Sequence, residues 1–209
     1  MNKTQIKYLA ALLMLADHVG FLINCEPLKI VGRVSYPLFS WIFAQNWKRE
    51  GSKKKLISRL ILFGVISQIP YILLFNKLTL NIMFSFGATA ITFSYIRKFN
   101  RKILILIISL IASQLLNIDY GWYAIATPLL MLNLKGNGNK IWWVSWILIN
   151  IIYAGSTGSA IQLFTVVTPA ILKFHNPDKD LKPTEIEKRF FYYFYPIHLA
   201  SLGAIKAIL

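Results

Sequence analysis

The chain has 209 residues, 56% of them apolar and only 15% charged, with a mean hydropathy of +0.54, which excludes an ordinary soluble domain and implies a polytopic membrane protein with room for about nine or ten spans. Its 23 basic and 8 acidic residues give a formal charge of +15, a balance that suggests nucleic-acid binding only until the positions of the charges are considered. Cys25 is the sole cysteine, so an internal disulfide is excluded and no metal-ligand pattern is expected.

Taken in order, the apolar stretches run from 6 to 23, 31 to 47, 56 to 75, 79 to 96, 103 to 118, 121 to 134, 141 to 154, 159 to 173 and 189 to 208. They predict an all-α bundle of about nine transmembrane helices, with 121 to 134 and 141 to 154 the shortest. With the N-terminus in the cytoplasm, 19 of the 23 basic residues fall inside and only Lys29, Arg33, Lys77 and Lys206 fall outside. That bias is the positive-inside rule, so the charge reads as topology. Dropping the span at 121 to 134 would throw the later basic loops outside, so it is kept. Trp41, Trp47, Trp142 and Trp143 lie near expected cytoplasmic ends, where an interfacial aromatic belt belongs. The first span lacks a small-x-small cleavage site and is expected to stay attached. The polar segment "FHNPDKDLKPTEIEKR" at 174 to 189 reads as a cytoplasmic connector, with His175 a solvated side chain.

Ionisable groups inside a bilayer mark function by default. Asp17 and His18 lie deep in the first stretch, Arg33 opens the second from the outside, Gln68 and Pro70 lie in the outer half of the third, and Asn81 opens the fourth. "DYGWY" at 119 to 123 turns between the fifth and sixth, and His198 is near the middle of the ninth, with Tyr195 on its helical face. Each also has a structural reading. Asp17 with Arg33 or Arg59 makes an ion pair, Gln68 and Asn81 join helices by hydrogen bonds, Asp119 starts a helix, and His198 is a satisfied core histidine.

Lys7 and His18 are eleven residues apart, which on a helix returns to within about 20° of one face and spans about 16 Å. Ala10, Ala11 and Met14 lie between them at nearly the same azimuth, and the alanines predict a shallow groove. A basic residue at the surface, a slim apolar track and an imidazole at its far end suit a long thin ligand with phosphates at one end, such as coenzyme A.

The blocks "IKYLAALLMLADHVGFL", "VGRVSYPLFSWIFAQNW", "SRLILFGVISQIPY", "LNIMFSFG", "DYGWYA" and "YYFYPIHL" together resemble, in this order, the TraX family of membrane acetyltransferases, whose namesake acetylates the N-terminus of F-type pilin. The resemblance covers nearly the whole chain and implies one domain over 1–209. Lys7, ten residues and His18 look like the basic-x10-His feature of the wider membrane acyltransferase class, with lysine where arginine is usual. Asp17 and His18 match the family's Asp-His pair, Gly32, Arg33 and Pro37 its Gly-Arg block, and Arg59, Gln68 and Pro70 its third-helix block. Asn81 and Phe84 match the next, Asp119, Tyr120 and Gly121 the Asp-Tyr-Gly turn, and Tyr195, Pro196 and His198 the final Tyr-Pro-x-His. Gln45 and Asn46 stand where Glu-Gly is common, and Ala124 where glycine is usual.

The resemblance implies acetyl transfer from cytoplasmic acetyl-CoA, in the bacterial cytoplasmic membrane, to an acceptor at the outer side. That acceptor is the N-terminal amine of a pilin-like or exported peptide, or else a glycan hydroxyl. Catalytic candidates are His18 as general base, Asp17, Asp119 as its orienting carboxylate from another helix, and His198. Lys7, Arg59, Met14 and Ala11 are candidates for holding the donor, and Arg33, Asn81, Gln68, Tyr120 and Tyr195 for the acceptor or the oxyanion. The rival from another class is a small proton-coupled transporter, which polar groups and Pro-broken helices also fit. An inverted repeat would favour it, and none is visible in the sequence.

Overall fold

The structure, a computed structural model, describes residues 1–49, 51–134 and 138–208. Its helices are α1 (Lys3–Leu22), α2 (Glu26–Gly32), α3 (Ser35–Arg49), α4 (Lys53–Phe75), α5 (Ile82–Lys98), α6 (Lys102–Leu115), α7 (Tyr123–Asn133), α8 (Lys140–Thr157), α9 (Thr168–Leu172) and α10 (Glu185–Ile208). Two 3-10 segments, Ala160–Val167 and Pro177–Lys179, complete the order. Among the described residues there is no strand, only an isolated parallel bridge between Leu80 and Ile118. The fold is all-α. Lys135, one of the basic residues expected in the cytoplasm, lies outside the described residues.

Every expected apolar stretch is built from helix, but the lengths are uneven. Among the described residues, α1 and α4 are long and apolar enough to cross a bilayer by themselves. The stretches at 103 to 118 and 121 to 134 emerge as α6, 14 residues, and α7, 11 residues. At 1.5 Å per residue these reach about 21 and 17 Å, short of a hydrocarbon core of about 30 Å. The left-handed residues Asn117, Tyr120 and Gly121 separate the two helices. The stretch at 159 to 173 divides into the 3-10 helix Ala160–Val167 and the short α9, which restarts with Pro169 in its first turn, a position where a missing N–H costs nothing.

The chain forms two compact units, Met1–Ile42 with Leu130–Phe194, and Phe43–Leu129 with Tyr195–Leu209. In the first, α1 opens with a capping box in which Asn2 and Gln5 satisfy each other's backbone N–H. Asn24, at φ 53°, then turns the chain into α2. The two helices meet through glycines. A Cβ at Gly20 would lie 2.7 Å from Leu28 Cβ, and one at Gly32 only 2.3 Å from Asp17 Cβ. The Ser35 hydroxyl adds a 2.8 Å bond to the Ala10 carbonyl. Further along, Asn150 of α8 accepts a hydrogen bond from Thr165 and donates to Trp146 O at 2.7 Å, fixing the 3-10 segment Ala160–Val167.

In the second unit, α5 packs a face of Met83, Ser85, Phe86, Thr89, Ala90, Thr92 and Phe93 inward. Thr89 donates to Ala124 O at 2.9 Å and Ser85 to Asp119 O at 2.8 Å. Outward, α4 exposes Ile61, Leu62, Val65, Ile66, Ile69 and Leu73, while α6 exposes Ile103, Leu104, Ile107, Ile108, Ile111 and Leu115 and buries Ser113. The exposed faces of α4 and α6 are aliphatic, while the buried faces of α4 and α5 mix apolar and hydroxyl side chains.

Two expectations are corrected. Trp41, Trp47 and Trp142 are buried rather than forming an exposed belt. Trp41 packs edge-on against His175, Trp47 against Phe43 and Phe93, and Trp142 donates to Leu130 O at 2.8 Å. His175 is not solvated: its Nε2 lies 3.2 Å from both oxygens of Asp180. Asp180 in turn accepts the Lys3 N–H at 2.7 Å, tying the loop to the first turn of α1.

Candidate functional site

The residues singled out in the sequence fall into two groups, one per unit, each taken by itself. In the first unit, α1 carries Lys7, Ala11, Met14, Asp17 and His18, and Arg33 follows α2. The pair expected between Asp17 and Arg33 is formed, with Arg33 Nε 3.4 Å from Asp17 Oδ1. Asp17 Oδ1 is buried and has no hydrogen-bond partner among the described residues, so the charge contact is long and loosely directed. Lys29 adds a second positive charge nearby. Gly32 makes this possible, since its missing side chain lets α2 lie against the Asp17 backbone. His18 is half-buried.

The expected groove between Lys7 and His18 is closed. Ala10 is 0% exposed, Ala11 3% and Met14 7%, so no open track runs along α1 in this state. Lys7 is already engaged: its Nζ donates to the backbone carbonyl of Glu187 and sits 5.9 Å from the centre of the Phe190 ring.

Glu187 was not anticipated. Thr184 and Glu187 form the reciprocal cap that opens α10, with Thr184 N donating to Glu187 Oε2 at 2.7 Å and Glu187 N to Thr184 Oγ1 at 3.2 Å. The sequence signal was present as "TEIE", a T-x-x-E box ahead of an apolar run. The Thr184 N–H holds the Glu187 carboxyl below the usual carboxylate range, with help from the Thr184 and Thr4 hydroxyls and the charge of Lys7 against partial desolvation.

In the second unit, Gln68 and Asn81 join helices by hydrogen bonds as expected, and they also bond each other, which was not anticipated. Asn81 is fully buried. Its Nδ2 donates to Gln68 Oε1 at 2.8 Å and to Gly64 O at 2.7 Å, and its Oδ1 accepts Met83 N–H at 3.0 Å as the cap of α5. Gln68 Nε2 donates to Thr79 O at 2.8 Å, and the Tyr71 hydroxyl bonds Thr79 Oγ1 at 2.8 Å.

Asp119 N donates to Leu80 O at 2.7 Å, and Asp119 Oδ1 accepts Tyr120 N–H at 3.1 Å. The turn needs glycine at 121: φ is 51°, and a Cβ there would lie 2.2 Å from Gln114 Oε1. Tyr195 is buried in α10, near Ile82 at the start of α5 and close enough to Asp119, Tyr71 and Tyr120 to interact electrostatically. His198, 6% exposed, lies one turn on with its ring 5.6 Å from that of Tyr195. Arg59 is exposed on α4.

The second unit thus gathers Asp119, Tyr120, Tyr195 and His198 beside the Gln68–Asn81 pair, and the first gathers Asp17 and Arg33 on the helix that carries His18. Tyr71, Thr79 and Ser85 join the second group without having been singled out, because hydroxyls in an apolar run carry no spacing signal. The family model described as TraX protein matches residues 2–206, through both units. No curated protein and no solved structure matches the chain.

Proposed function

The chain belongs to the TraX family, and from that membership we propose that it is a membrane-embedded acetyltransferase, moving an acetyl group from cytoplasmic acetyl-CoA to the N-terminal amine of an exported, pilin-like peptide at the outer side. The family match over 2–206 carries this reading. The exposed aliphatic faces of α4 and α6 support the membrane part of it, since contiguous apolar surface of this extent belongs against lipid or protein. The charge bias of 19 basic residues to 4 supports nine membrane segments with the N-terminus inside.

In the reaction, the acceptor nitrogen attacks the thioester carbonyl carbon and the carbonyl oxygen takes up negative charge. His18 accepts the ammonium proton, the C–S bond breaks, and the thiolate leaves to be protonated as coenzyme A. Arg33 is assigned to the oxyanion, a role for which a planar donor fork is suited. Asp17 balances its charge and holds the guanidinium between turnovers. Lys7 takes the donor phosphates, with Arg59 a second candidate, and Ala11 and Met14 line the pantetheine path. Asp119, Tyr120, Tyr195 and His198 are assigned to the acceptor, and Gln68 and Asn81 to fixing the helices that carry them.

The test is transfer of radiolabelled acetyl from acetyl-CoA by the purified protein in liposomes, followed by mass spectrometry of membrane peptides and surface glycans from cells with and without His18. An acetyl mark lost from a peptide N-terminus supports the reading. One lost from glycans alone overturns the acceptor, and no transfer to either overturns the enzyme.

A further inference from the structure

Within the second unit, ten basic residues fall in two short segments, 48 to 59 and 97 to 102, whose one acid in sequence is Glu50, outside the described residues. The polar segment 174 to 189 is different. Its basic residues alternate with Asp178, Asp180, Glu185 and Glu187, and Lys188 pairs with Glu185 at 2.5 Å. An orientation signal counts basic residues and is nearly blind to acids, so it accounts for both sets of cations but not for the lack of acids around one of them. The helices bring the two basic segments together. A Cβ at Gly64 would lie 3.1 Å from the Phe84 ring, and one at Gly87 3.9 Å from Leu60 and Ile61, so α4 and α5 run antiparallel and the start of one meets the end of the other. Lys53 donates to the Trp47 carbonyl and lies 4.5 Å from the centre of its ring, which meets Phe93 of α5 at 5.6 Å. Only Phe99, Asn100 and Arg101 separate α5 from α6, which packs on it. Lys54, Lys55, Arg97, Lys98, Arg101 and Lys102 are all exposed at this end.

Along the same helices the surface then turns aliphatic. On α6, Arg101, Leu104, Ile108, Ile111 and Leu115 recur in steps of three and four residues, all exposed. On α4 the same face runs from Lys55 through Leu62, Ile66 and Ile69 to Leu73. Arg101 to Leu115 covers about 21 Å, enough to pass the depth of one leaflet's hydrocarbon, about 15 Å. Where the cations give way to the aliphatic surface, the exposed rings of Tyr95 and Phe99 stack at 5.8 Å, with the Lys98 ammonium 5.3 Å from the centre of Phe99. Exposed rings at that level belong among lipid headgroups.

We propose that this end of the second unit is a binding site for anionic phospholipid of the cytoplasmic leaflet, with the headgroup phosphate among Lys54, Lys55, Arg97, Lys98, Arg101 and Lys102 and the acyl chains on the aliphatic faces beyond them. The inference rests on the membrane reading above. Charge complementarity selects an anion, and the aliphatic continuation of each basic helix end selects one that carries hydrocarbon. A soluble polyanion would meet the cations and leave the apolar faces uncovered. A zwitterionic lipid would cover those faces but bring its own cation into the cluster, where like charges repel. An anionic phospholipid satisfies both surfaces with one molecule, and each basic residue near the headgroup strengthens its hold about fivefold.

The test reconstitutes the full-length protein in phosphatidylcholine vesicles with spin-labelled phosphatidylglycerol or spin-labelled phosphatidylcholine as the probe. The readout is the ratio of their association with the protein, taken from the motionally restricted part of the spin-label spectrum. Wild type is expected to prefer phosphatidylglycerol about fivefold or more at 0.1 M salt. Replacing Lys54, Lys55, Arg101 and Lys102 by Gln should bring the ratio close to one. Replacing Lys173, Lys179, Lys182 and Lys188 by Gln removes the same charge elsewhere and should leave the preference in place. A wild-type ratio of one, or equal loss in the two variants, overturns the site. Salt supplies an arm that needs no variant: at 1 M the screening length falls from about 10 Å to about 3 Å, and a preference that persisted undiminished would overturn a headgroup held by charge. Displacement of the labelled phosphatidylglycerol by coenzyme A or by a single-stranded oligonucleotide would overturn the lipid as occupant. Absence of any restricted lipid, phosphatidylcholine included, would overturn the membrane reading as well.

Discussion

Placing a single methyl group at residue 32 tests the geometry on which the Asp17–Arg33 pair depends. The Cβ of Gly32→Ala would lie 2.3 Å from Asp17 Cβ, 2.5 Å from its Cα and 2.6 Å from its N. These are backbone and near-backbone atoms, so no flexible side-chain end can move aside. Ordinary contact begins at 3.4 Å, and α2 therefore has to retreat from α1 by about 1.1 Å. Overpacking of this kind costs about 1–3 kcal/mol. Arg33 follows immediately in the chain, so the retreat also lengthens its 3.4 Å contact with Asp17. For a chain of this size each kcal/mol lowers Tm by about 2–4 °C, which predicts a loss of about 2–12 °C. Tryptophan fluorescence during thermal unfolding in detergent measures it. Gly155→Ala is the control, because nothing lies within 4 Å of a Cβ there and Ala gains about 0.5–1 kcal/mol over Gly in a helix. If the two variants melt together at or above wild type, the close approach of α1 and α2 is not what positions Asp17.

Lys7→Ala should weaken coenzyme A binding about 10- to 150-fold, the value of one charged contact to a phosphate, whereas His18→Ala should abolish acetyl transfer with donor binding kept; isothermal titration and radiolabel transfer separate the two. Cysteines introduced at positions 52 and 184 should be shielded from an impermeant thiol reagent on intact cells and one at 156 labelled, and the reverse pattern would sink the proposed topology. Because the Glu187 carboxyl is held below its ordinary value of 4.5, its contribution to stability should be complete at neutral pH and fade only as acid titrates it in the folded state. Glu187→Gln should flatten that acid limb in melting curves taken between neutrality and pH 3, and an unchanged limb would mean the carboxylate gains nothing from its hydrogen bonds.

The helices were legible because an apolar run of the right length has few alternatives, and every run did become helix. Where the runs break was less legible. Nothing in "SAIQLFTVVTPAIL" announces a 3-10 segment; it depends on Thr165 bonding Asn150 across to α8 and to Gln162 O within its own turn. That Asp17 would pair with an arginine, Arg33 or Arg59, and that Gln68 and Asn81 would join helices by hydrogen bonds was legible because polar groups in apolar surroundings need partners; that Arg33 is the one chosen and that Gln68 and Asn81 bond each other was not. The track along α1 misled for the converse reason. Helical periodicity fixes which residues share a face, but not whether that face is open, and Ser35 with its neighbours closes it. His175 and Glu187 were overlooked in a segment that looks solvated by composition; Asp180 and Thr184 are near neighbours in the chain, but Trp41 and Lys7 come from positions that a local reading cannot bring together.

The two polar groups also differ in how far they can rearrange, which bears on the roles assigned to them. Asn81 is committed. Its amide bonds α4 through Gly64 and Gln68 and caps α5 through Met83, so withdrawing any of those bonds for an oxyanion would leave a buried backbone or amide group unsatisfied, at about 1–3 kcal/mol each. Asp17 is held differently, by charge at 3.4 Å, with a buried oxygen that makes no hydrogen bond among the described residues. A contact of that length tolerates small movements at little cost, because Coulomb attraction falls off slowly while a hydrogen bond fails within a few tenths of an ångström. Transient charge in a reaction needs partners that can shift towards it and back. That favours Arg33, partnered by Asp17, for the oxyanion role proposed above, and leaves Asn81 as a fixed point between α4 and α5 in its own unit.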